Sequence, residues 1–385
     1  MKSPLSLTWE QVSAWRLVQH HLVERATSER LLEVARDLIG IQAQVLSSAE
    51  LALWARVRDM PPGTLSTLLW EKRSLVKTWS MRGTLHLFVA SEFPQIAAAL
   101  STRYHITGAW LKYLNIPSKE VVTTIMLGIQ SALDGRSLTR EQLAAEVARV
   151  TGLPQLEPIL RSGWGELLKP AAYQGYLCFG PNQEQNVTFV RPDQWIGAWQ
   201  EYNAEEMLTA IVRRYLATYG PAIYEDFAHW WGSRYLREVR AAFQRLGDEI
   251  IEVTIEGRNV WALTTMVEQV GNLPPAPPAC LLPGFDAYVI GVLPHLEHVL
   301  PGSLKAQISR QSGWISPVLL AHGKIAGVWR HEKRGQRVVV QIAPFASLDA
   351  ALKRPIQEEA DRLGAFLGAP AEVVYIENGL EAASD

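Results

Sequence analysis

The stretch Leu75-Val-Lys-Thr-Trp-Ser-Met-Arg-Gly-Thr-Leu-His-Leu-Phe-Val-Ala90 decides how the N-terminal part of this chain is read. Two runs rich in β-branched and aromatic residues, Leu75–Met81 and Leu85–Ala90, flank Arg82-Gly83-Thr84, a pattern that predicts two strands around a turn. Working back from this hairpin, a first helix is expected over about Trp9–Glu24, and a second that Thr27 or Ser28 would cap and Gly40 would stop. Then comes Ile41-Gln-Ala-Gln-Val-Leu46, and Ser47-Ser-Ala-Glu50 reads as a capping box for a helix carrying Leu51, Trp54, Ala55 and Val57. Three helices followed by a two-stranded wing make a winged helix, the helix-turn-helix variant whose third helix and wing commonly meet DNA.

The same order recurs twice, with similarity too weak for a strict repeat. Residues 118–192 give a helix, a second that Thr139 caps, a third near Trp164–Tyr173, and a hairpin of Gly175–Phe179 with Asn186–Val190. Residues 204–265 give helices Glu205–Tyr219, Tyr224–Trp231 and Ser233–Leu246, then strands Ile250–Ile255 and Asn259–Leu263 around Glu256-Gly257. Gly271-Asn-Leu-Pro-Pro-Ala-Pro-Pro278 is too proline-rich for helix or central strand and reads as a linker. Beyond it lie the predicted strands Pro317–His322, Lys324–Arg330 and Gln336–Ile342, a helix Leu348–Leu367 and a strand Glu372–Ile376. The expected fold is α+β, with three tandem winged-helix units (1–115, 116–200 and 201–270) followed by a C-terminal β-barrel-like unit (271–385).

Composition narrows the function less than the motifs do. With 48% apolar and 20% charged residues over 385 positions the chain has an ordinary globular balance. The 37 basic residues face 39 acidic ones, so only a local patch could form a phosphate footprint. Between Pro301 and Val340 stand Lys305, Arg310, Lys324, Arg330, Lys333, Arg334 and Arg337, opposed only by Glu332. The turn His331–Gly335 carries much of this patch and reads either as a groove-probing tip or as a soluble loop. Cys178 and Cys280 sit in apolar settings without CxxC or Cys/His spacing, which points to core thiols in a reducing compartment and to no zinc site. No apolar run approaches a membrane span and the N-terminus has no long apolar stretch, so a cytoplasmic protein is expected. No phosphate-cradling glycine loop or Ser/His/Asp signature is present, and no cofactor or metal is expected.

Gly40-Ile-Gln-Ala-Gln44, followed by Lys77-Thr-Trp-Ser-Met-Arg-Gly-Thr-Leu-His-Leu87, resembles the AlkZ-like winged-helix DNA glycosylases. The resemblance continues through Asp226-Phe-Ala-His-Trp-Trp-Gly232, Leu282-Pro-Gly-Phe-Asp-Ala-Tyr288, Gly313-Trp-Ile-Ser-Pro-Val-Leu-Leu320 and Gly323-Lys-Ile-Ala-Gly-Val-Trp329. It implies a catalytic Gln-aliphatic-Gln motif, which falls on Gln42 and Gln44; the family's other branch carries Gln-aliphatic-Asp. It further implies a monofunctional glycosylase acting on double-stranded DNA that carries alkylated or crosslinked purines. An enzyme reading one lesion needs no palindromic half-sites, so a monomer associated with the nucleoid is expected.

Two neutral glutamines suit that chemistry if the leaving base is already cationic. Alkylation at the 7-position of guanine or the 3-position of adenine charges the ring, which can then depart without protonation through an oxocarbenium-like transition state. What remains is to place water and stabilise developing charge, tasks a glutamine carbonyl can share. Residues i and i+2 diverge by about 200° on a helix but share a face when extended, so a cooperating pair is expected in an extended or irregular segment. Arg82 at the wing turn is a phosphate-contact candidate, with Arg310, Lys333, Arg334 and Arg337 from the basic stretch. His86 is a supporting candidate or a buried, satisfied histidine. Asp286 is expected to cap backbone, and Trp54, Trp79, Trp230 and Trp329 are expected in the core. The competing readings are a winged-helix transcriptional regulator, which would show sequence preference without base release, and a protein-interaction scaffold with weak, salt-insensitive DNA affinity.

Overall fold

The computed structural model describes residues 5–103, 105–300, 302 and 304–376. The segment 1–4, Pro301 at the edge of the basic stretch, and residues 377–385 of the expected C-terminal unit lie outside the described residues. The fold is mixed α+β, with many short helices and several small sheets. Two compact units divide it: one from 1–65, 213–230 and 246–385, the other from 66–212 and 231–245.

The first unit opens with the helix Trp9–Gln19, started by a reciprocal cap in which Gln11 N donates to Thr8 Oγ1 (3.2 Å) and Thr8 N to Gln11 Oε1 (2.9 Å). It stops short of the predicted Glu24, because His21 takes a left-handed backbone at φ 54°. The Trp15 indole donates to Ala217 O (2.9 Å), and the buried Arg16 guanidinium donates to the carbonyls of Gly220 and Pro221, each at 3.2 Å. A 3-10 turn at Ser28–Arg30 leads into the helix Leu31–Asp37. The hairpin Ile250–Ile255 with Arg258–Leu263 forms as expected, and Ser6–Leu7 adds a parallel strand at Thr254 and Ile255 that the sequence reading lacked.

Beyond the linker, strands Ala279–Leu282, Val318–Ala321, Lys324–Arg334, Arg337–Pro344 and Ala371–Tyr375 form one sheet in that order, antiparallel except for the last pair. This corrects the expected β-barrel-like unit: the sheet is open, with Ala279–Leu282 and Ala371–Tyr375 as its edges. The helix Lys353–Leu367 explains why. It buries Ile356, Ala360, Leu363 and Phe366 and packs against the sheet, so the sheet's apolar face is covered by a helix and need not curl onto itself. Gly364 permits that approach, since a Cβ there would lie 2.9 Å from Ala371 N and Cβ at the start of the last strand.

A buried ion pair ties distant parts of this unit together. Arg56 Nη1 and Nη2 donate to Asp286 Oδ2 (2.7 Å) and Oδ1 (2.8 Å), both side chains being 0% exposed. Arg56 Nη1 also donates to Ala52 O (2.8 Å), and Asp286 accepts from Tyr288 N (2.9 Å), which makes it the expected cap of the helix Ala287–Val292. Trp54, Trp79, Trp230 and Trp329 are all buried, as are the unpaired Cys178 and Cys280. Burial pushes both thiols up, Cys280 to about 12.

In the second unit, Leu75–Trp79 and Leu85–Val89 pair antiparallel as predicted, and Cys178–Gln183 pairs with Asn186–Val190, with Leu138–Thr139 as a third strand. Thr139 and Gln142 form a capping box for Arg140–Thr151. That helix and Lys119–Ala132 enclose a core containing Val122, Ile129, Val147, Leu177, Phe189 and Trp79. The expected helix Trp164–Tyr173 begins only at Leu168, and a helix Phe93–Ser101 was not anticipated.

Breaking the Arg56–Asp286 pair from one side strands a buried charge. Arg56→Met is expected to cost about 3–5 kcal/mol in denaturant unfolding, and Arg56→Met combined with Asp286→Leu to recover most of that loss; equal destabilisation by single and double variants would refute the pairing argument.

Candidate active site

The segment holding the two glutamines is bent rather than helical. After Leu31–Asp37 the chain reverses at Ile39 (φ 56°) and Gly40 (φ 103°) and then runs extended through Ile41–Gln42. A buried β-branched residue at positive φ is a strained conformation that persists only where the surroundings impose it. They do: Thr218 Oγ1 donates to Asp37 O (2.7 Å) and Tyr219 Oη to Leu38 O (2.8 Å), satisfying two carbonyls at the helix end. Tyr219 reaches that place because Gly291 leaves room, a Cβ there falling 2.5 Å from the Tyr219 ring.

Gln42 is 8% exposed, Ala43 is fully buried, and Gln44 is exposed at a bend. The expected non-helical conformation is therefore present, but the bend places the two side chains in different environments, one packed and one facing solvent. The capping box expected at Ser47 does not form. The helix starts at Leu46 with Val45 at the cap position and no side-chain cap bond, and Glu50 Oε1 accepts from Leu65 N (3.4 Å) instead. The serines therefore lie in the first turn of the helix, which buries Ala49, Leu53 and Trp54 further along.

At the turn between Leu75–Trp79 and Leu85–Val89, Arg82 adopts φ 56°. His86 is 1% exposed; its Nδ1 lies 3.2 Å from Thr84 O and its Nε2 3.3 Å from Arg82 Nη2. Since a carbonyl only accepts, Nδ1 carries the proton and Nε2 accepts from the guanidinium. Burial first, then the charges of Arg82 and Arg103, hold His86 well below the usual imidazole value, so it is a neutral support for Arg82. Arg103, which the sequence reading missed, donates to Ser80 O (2.6 Å) and Gly232 O (3.2 Å) and lies over the Tyr173 ring at 4.8 Å. Gly232 (φ 78°) must be glycine, because a Cβ would sit 2.7 Å from Arg82 N. Its place at the end of Asp226–Gly232 was the available signal. Asp226 itself accepts from Ile223 N (3.0 Å) and pairs with His295 (3.2 Å), a structural arrangement.

The remaining predicted DNA contacts are spread along the C-terminal segment. Lys333, Arg334 and Arg337 are exposed at the tip of the Lys324–Arg334/Arg337–Pro344 hairpin, whose turn is Gly335-Gln336 rather than His331–Gly335. Arg334 pairs with Glu332, and Arg337 lies 3.5 Å from Glu372, an acid the sequence reading did not bring near. Arg310 is exposed in the segment after Lys305–Ile308. Lys324 is committed to His298 O (2.8 Å) and Arg330 to Gln341 (2.6 Å). Among the described residues no group of three or more His, Cys, Asp or Glu could hold a metal ion, and no helix is long and apolar enough to cross a membrane.

Comparison with known proteins defines the class, a DNA glycosylase. The description "DNA glycosylase AlkZ-like" matches residues 35–366. The chain belongs to the AlkZ-like DNA glycosylase family. It is 35% identical over 363 residues to the interstrand DNA cross-link repair glycosylase of Streptomyces sahachiroi, covering 92% of this chain and 95% of that one. The solved structure of Streptomyces sahachiroi DNA glycosylase AlkZ superposes with a TM-score of 0.85 at 33% identity, covering 96% of this chain and all of the other. Family membership decides against the regulator and scaffold readings.

The neutral His86 has a pH signature. The unfolded chain takes up a proton near pH 6.5 and the folded site resists it, so this contribution to stability is full above about 6.5 and is lost as pH falls below it. His86→Gln is expected to flatten the decline in unfolding free energy between pH 6.5 and 5.5 by about 1 kcal/mol. Identical slopes for wild type and variant in chemical denaturation would show that His86 is protonated in the fold.

Proposed function

We propose that this enzyme is a monofunctional DNA glycosylase that hydrolyses the N-glycosidic bond of cationic alkylated purines, 7-alkylguanine monoadducts and interstrand crosslinks among them, with Gln42 and Gln44 as its catalytic pair. The observation that carries the reading is the strained, externally clamped bend that holds a Gln-Ala-Gln triplet out of helical geometry in a chain of this family. The crosslink substrate follows from the activity named for the Streptomyces sahachiroi relative.

In this reading the bond between C1′ and N9 breaks and its electron pair neutralises the cationic purine. Water adds to C1′ and releases a proton to solvent, leaving an abasic sugar and a neutral alkylated base. No acid has to protonate the leaving group. The glutamine carbonyls accept from the attacking water and face the developing positive charge, while the amides hold sugar or phosphate. The packed Gln42 supplies a fixed orientation and the exposed Gln44 meets the substrate. Arg82, oriented by His86, contacts a phosphate, and Lys333, Arg334, Arg337 and Arg310 provide further backbone contacts. The three hairpins are the wings of three winged-helix units with the boundaries given above, followed by the open-sheet unit. The enzyme acts as a monomer in the cytoplasm.

Release of 7-methylguanine from methylated duplex DNA tests the reading. Gln42→Ala and Gln44→Ala, matched to wild type in melting temperature, are each expected to slow release by roughly 100-fold, the scale of lost positioning. Wild type that releases no base from methylated or crosslinked duplex, or variants that release it at the wild-type rate, would overturn the assignment.

A further inference from the structure

We propose that a pocket on the unit formed by 66–212 and 231–245 binds one unpaired, unstacked nucleotide of the DNA substrate. The proposal rests on the chain's being a DNA glycosylase and is independent of the roles given to Gln42 and Gln44. The pocket is a cavity of about 470 Å³ whose walls include the rings of Trp110, Tyr113, Trp164 and Tyr173 and the cations Arg103 and Lys169. That volume lies in the range of small-ligand sites, from roughly 300 to 1,000 Å³.

Trp164 is 79% exposed and Tyr113 73%, whereas Trp54, Trp79, Trp230 and Trp329 are all buried. Large aromatic side chains left in water beside a cavity offer π-faces to a planar ligand. Trp164 does not lie on a helix, where the sequence reading placed it, but in the loop ahead of Leu168–Tyr173. Gly165 (φ 68°) pins that loop to the core, its Cβ position lying 3.3 Å from the Trp79 ring. The backbone that carries Trp164 is thus packed against the core at Gly165.

The polar groups match the rest of a nucleotide. Arg103 is fixed by the carbonyls of Ser80 and Gly232, and Lys169 is partly buried, which lowers its pKa; together they supply positive charge for a phosphate. Glu166 Oε2 is buried and has no hydrogen-bond partner among the described residues, so it is an acceptor awaiting an N–H donor, which nucleobase edges carry. The pocket also adjoins the wing turn: a Cβ at Gly83 would lie 3.6 Å from Tyr173 Oη and 3.9 Å from Lys169 Nζ. A strand whose phosphate rests on Arg82 therefore has the pocket beside it. A stacked base pair offers no free ring face, so the occupant is a nucleotide out of the duplex.

The test compares two fluorescein-labelled duplexes of the same sequence by anisotropy, one blunt and one ending in a short oligo(dC) overhang. Wild type is expected to bind the overhang duplex more tightly. Trp164→Ala with Tyr113→Ala should weaken overhang binding about 10-fold, within the roughly 5- to 150-fold that stacking one base supplies, and leave blunt-duplex binding unchanged. Trp164→Phe should restore most of the loss relative to Trp164→Ala. Both residues are exposed, so folding is preserved, and Lys169→Gln gives a second arm through a shallower salt dependence on the overhang duplex. Equal wild-type affinity for the two duplexes, or a double variant that holds the overhang as tightly as wild type, would overturn the proposal. Base release measured on the same preparation separates the two readings: an enzyme that releases no base sinks the catalytic assignment, and one that releases base but ignores the overhang sinks this one.

Discussion

A buried arginine and a buried aspartate, 230 residues apart, set the constraint on which the Gln-bearing unit depends. Neither charge could remain inside the protein alone, since desolvation of an unpaired ion outweighs what packing around it returns. Their two-pronged contact therefore fixes two elements at once. Through Ala52 O, Arg56 is bound to the end of the helix that follows Gln44, and through Tyr288 N, Asp286 is bound to the start of the helix Ala287–Val292. The other side of the Gln segment is clamped by Thr218 and Tyr219. Residues 39–45 are thus held between two anchors from distant stretches of chain, which is how a buried isoleucine stays at positive φ.

That clamping matters because the proposed chemistry asks for placement rather than proton transfer. A neutral amide gains little from a tuned pKa and everything from a fixed direction. A catalytic carboxylate could be adjusted by its surroundings after the fold had formed, whereas a glutamine acts only where its backbone puts it. Backbone strain just ahead of Gln42 fits a site whose geometry is imposed by its neighbours.

The Arg82 hairpin turn of the other unit handles charge differently. Arg103 is held in place by two carbonyls, those of Ser80 and Gly232, and by the Tyr173 ring, none of which neutralises its charge, and the neutral His86 accepts from Arg82 in the same way. A carboxylate in the place of His86 would bring a buried negative charge against Arg82. A protonated histidine would repel it. Burial of His86 therefore keeps the ring neutral, with its acceptor nitrogen toward Arg82.

What the sequence determined by itself was local. The Leu75–Val89 hairpin, the Thr139 cap, the Asp286 cap and the non-helical Gln42–Gln44 segment were all legible because each is written in a few adjacent residues by side-chain periodicity, cap chemistry or turn glycines. The family was legible from motifs spread along most of the chain. What only the tertiary structure decided were the interactions whose energy comes from burial between distant segments. These are the Arg56–Asp286 pair, the parallel strand Ser6–Leu7 on Thr254–Ile255, the sheet left open by a covering helix, and the exposure of Trp164 where a helix start was expected. The serines at 47 and 48 show the boundary between the two: locally they spell a helix cap, but the helix starts at Leu46 and takes them into its first turn. Local preference amounts to about 1 kcal/mol, and burying a large side chain contributes several times that, so wherever the two disagree the packed core chooses.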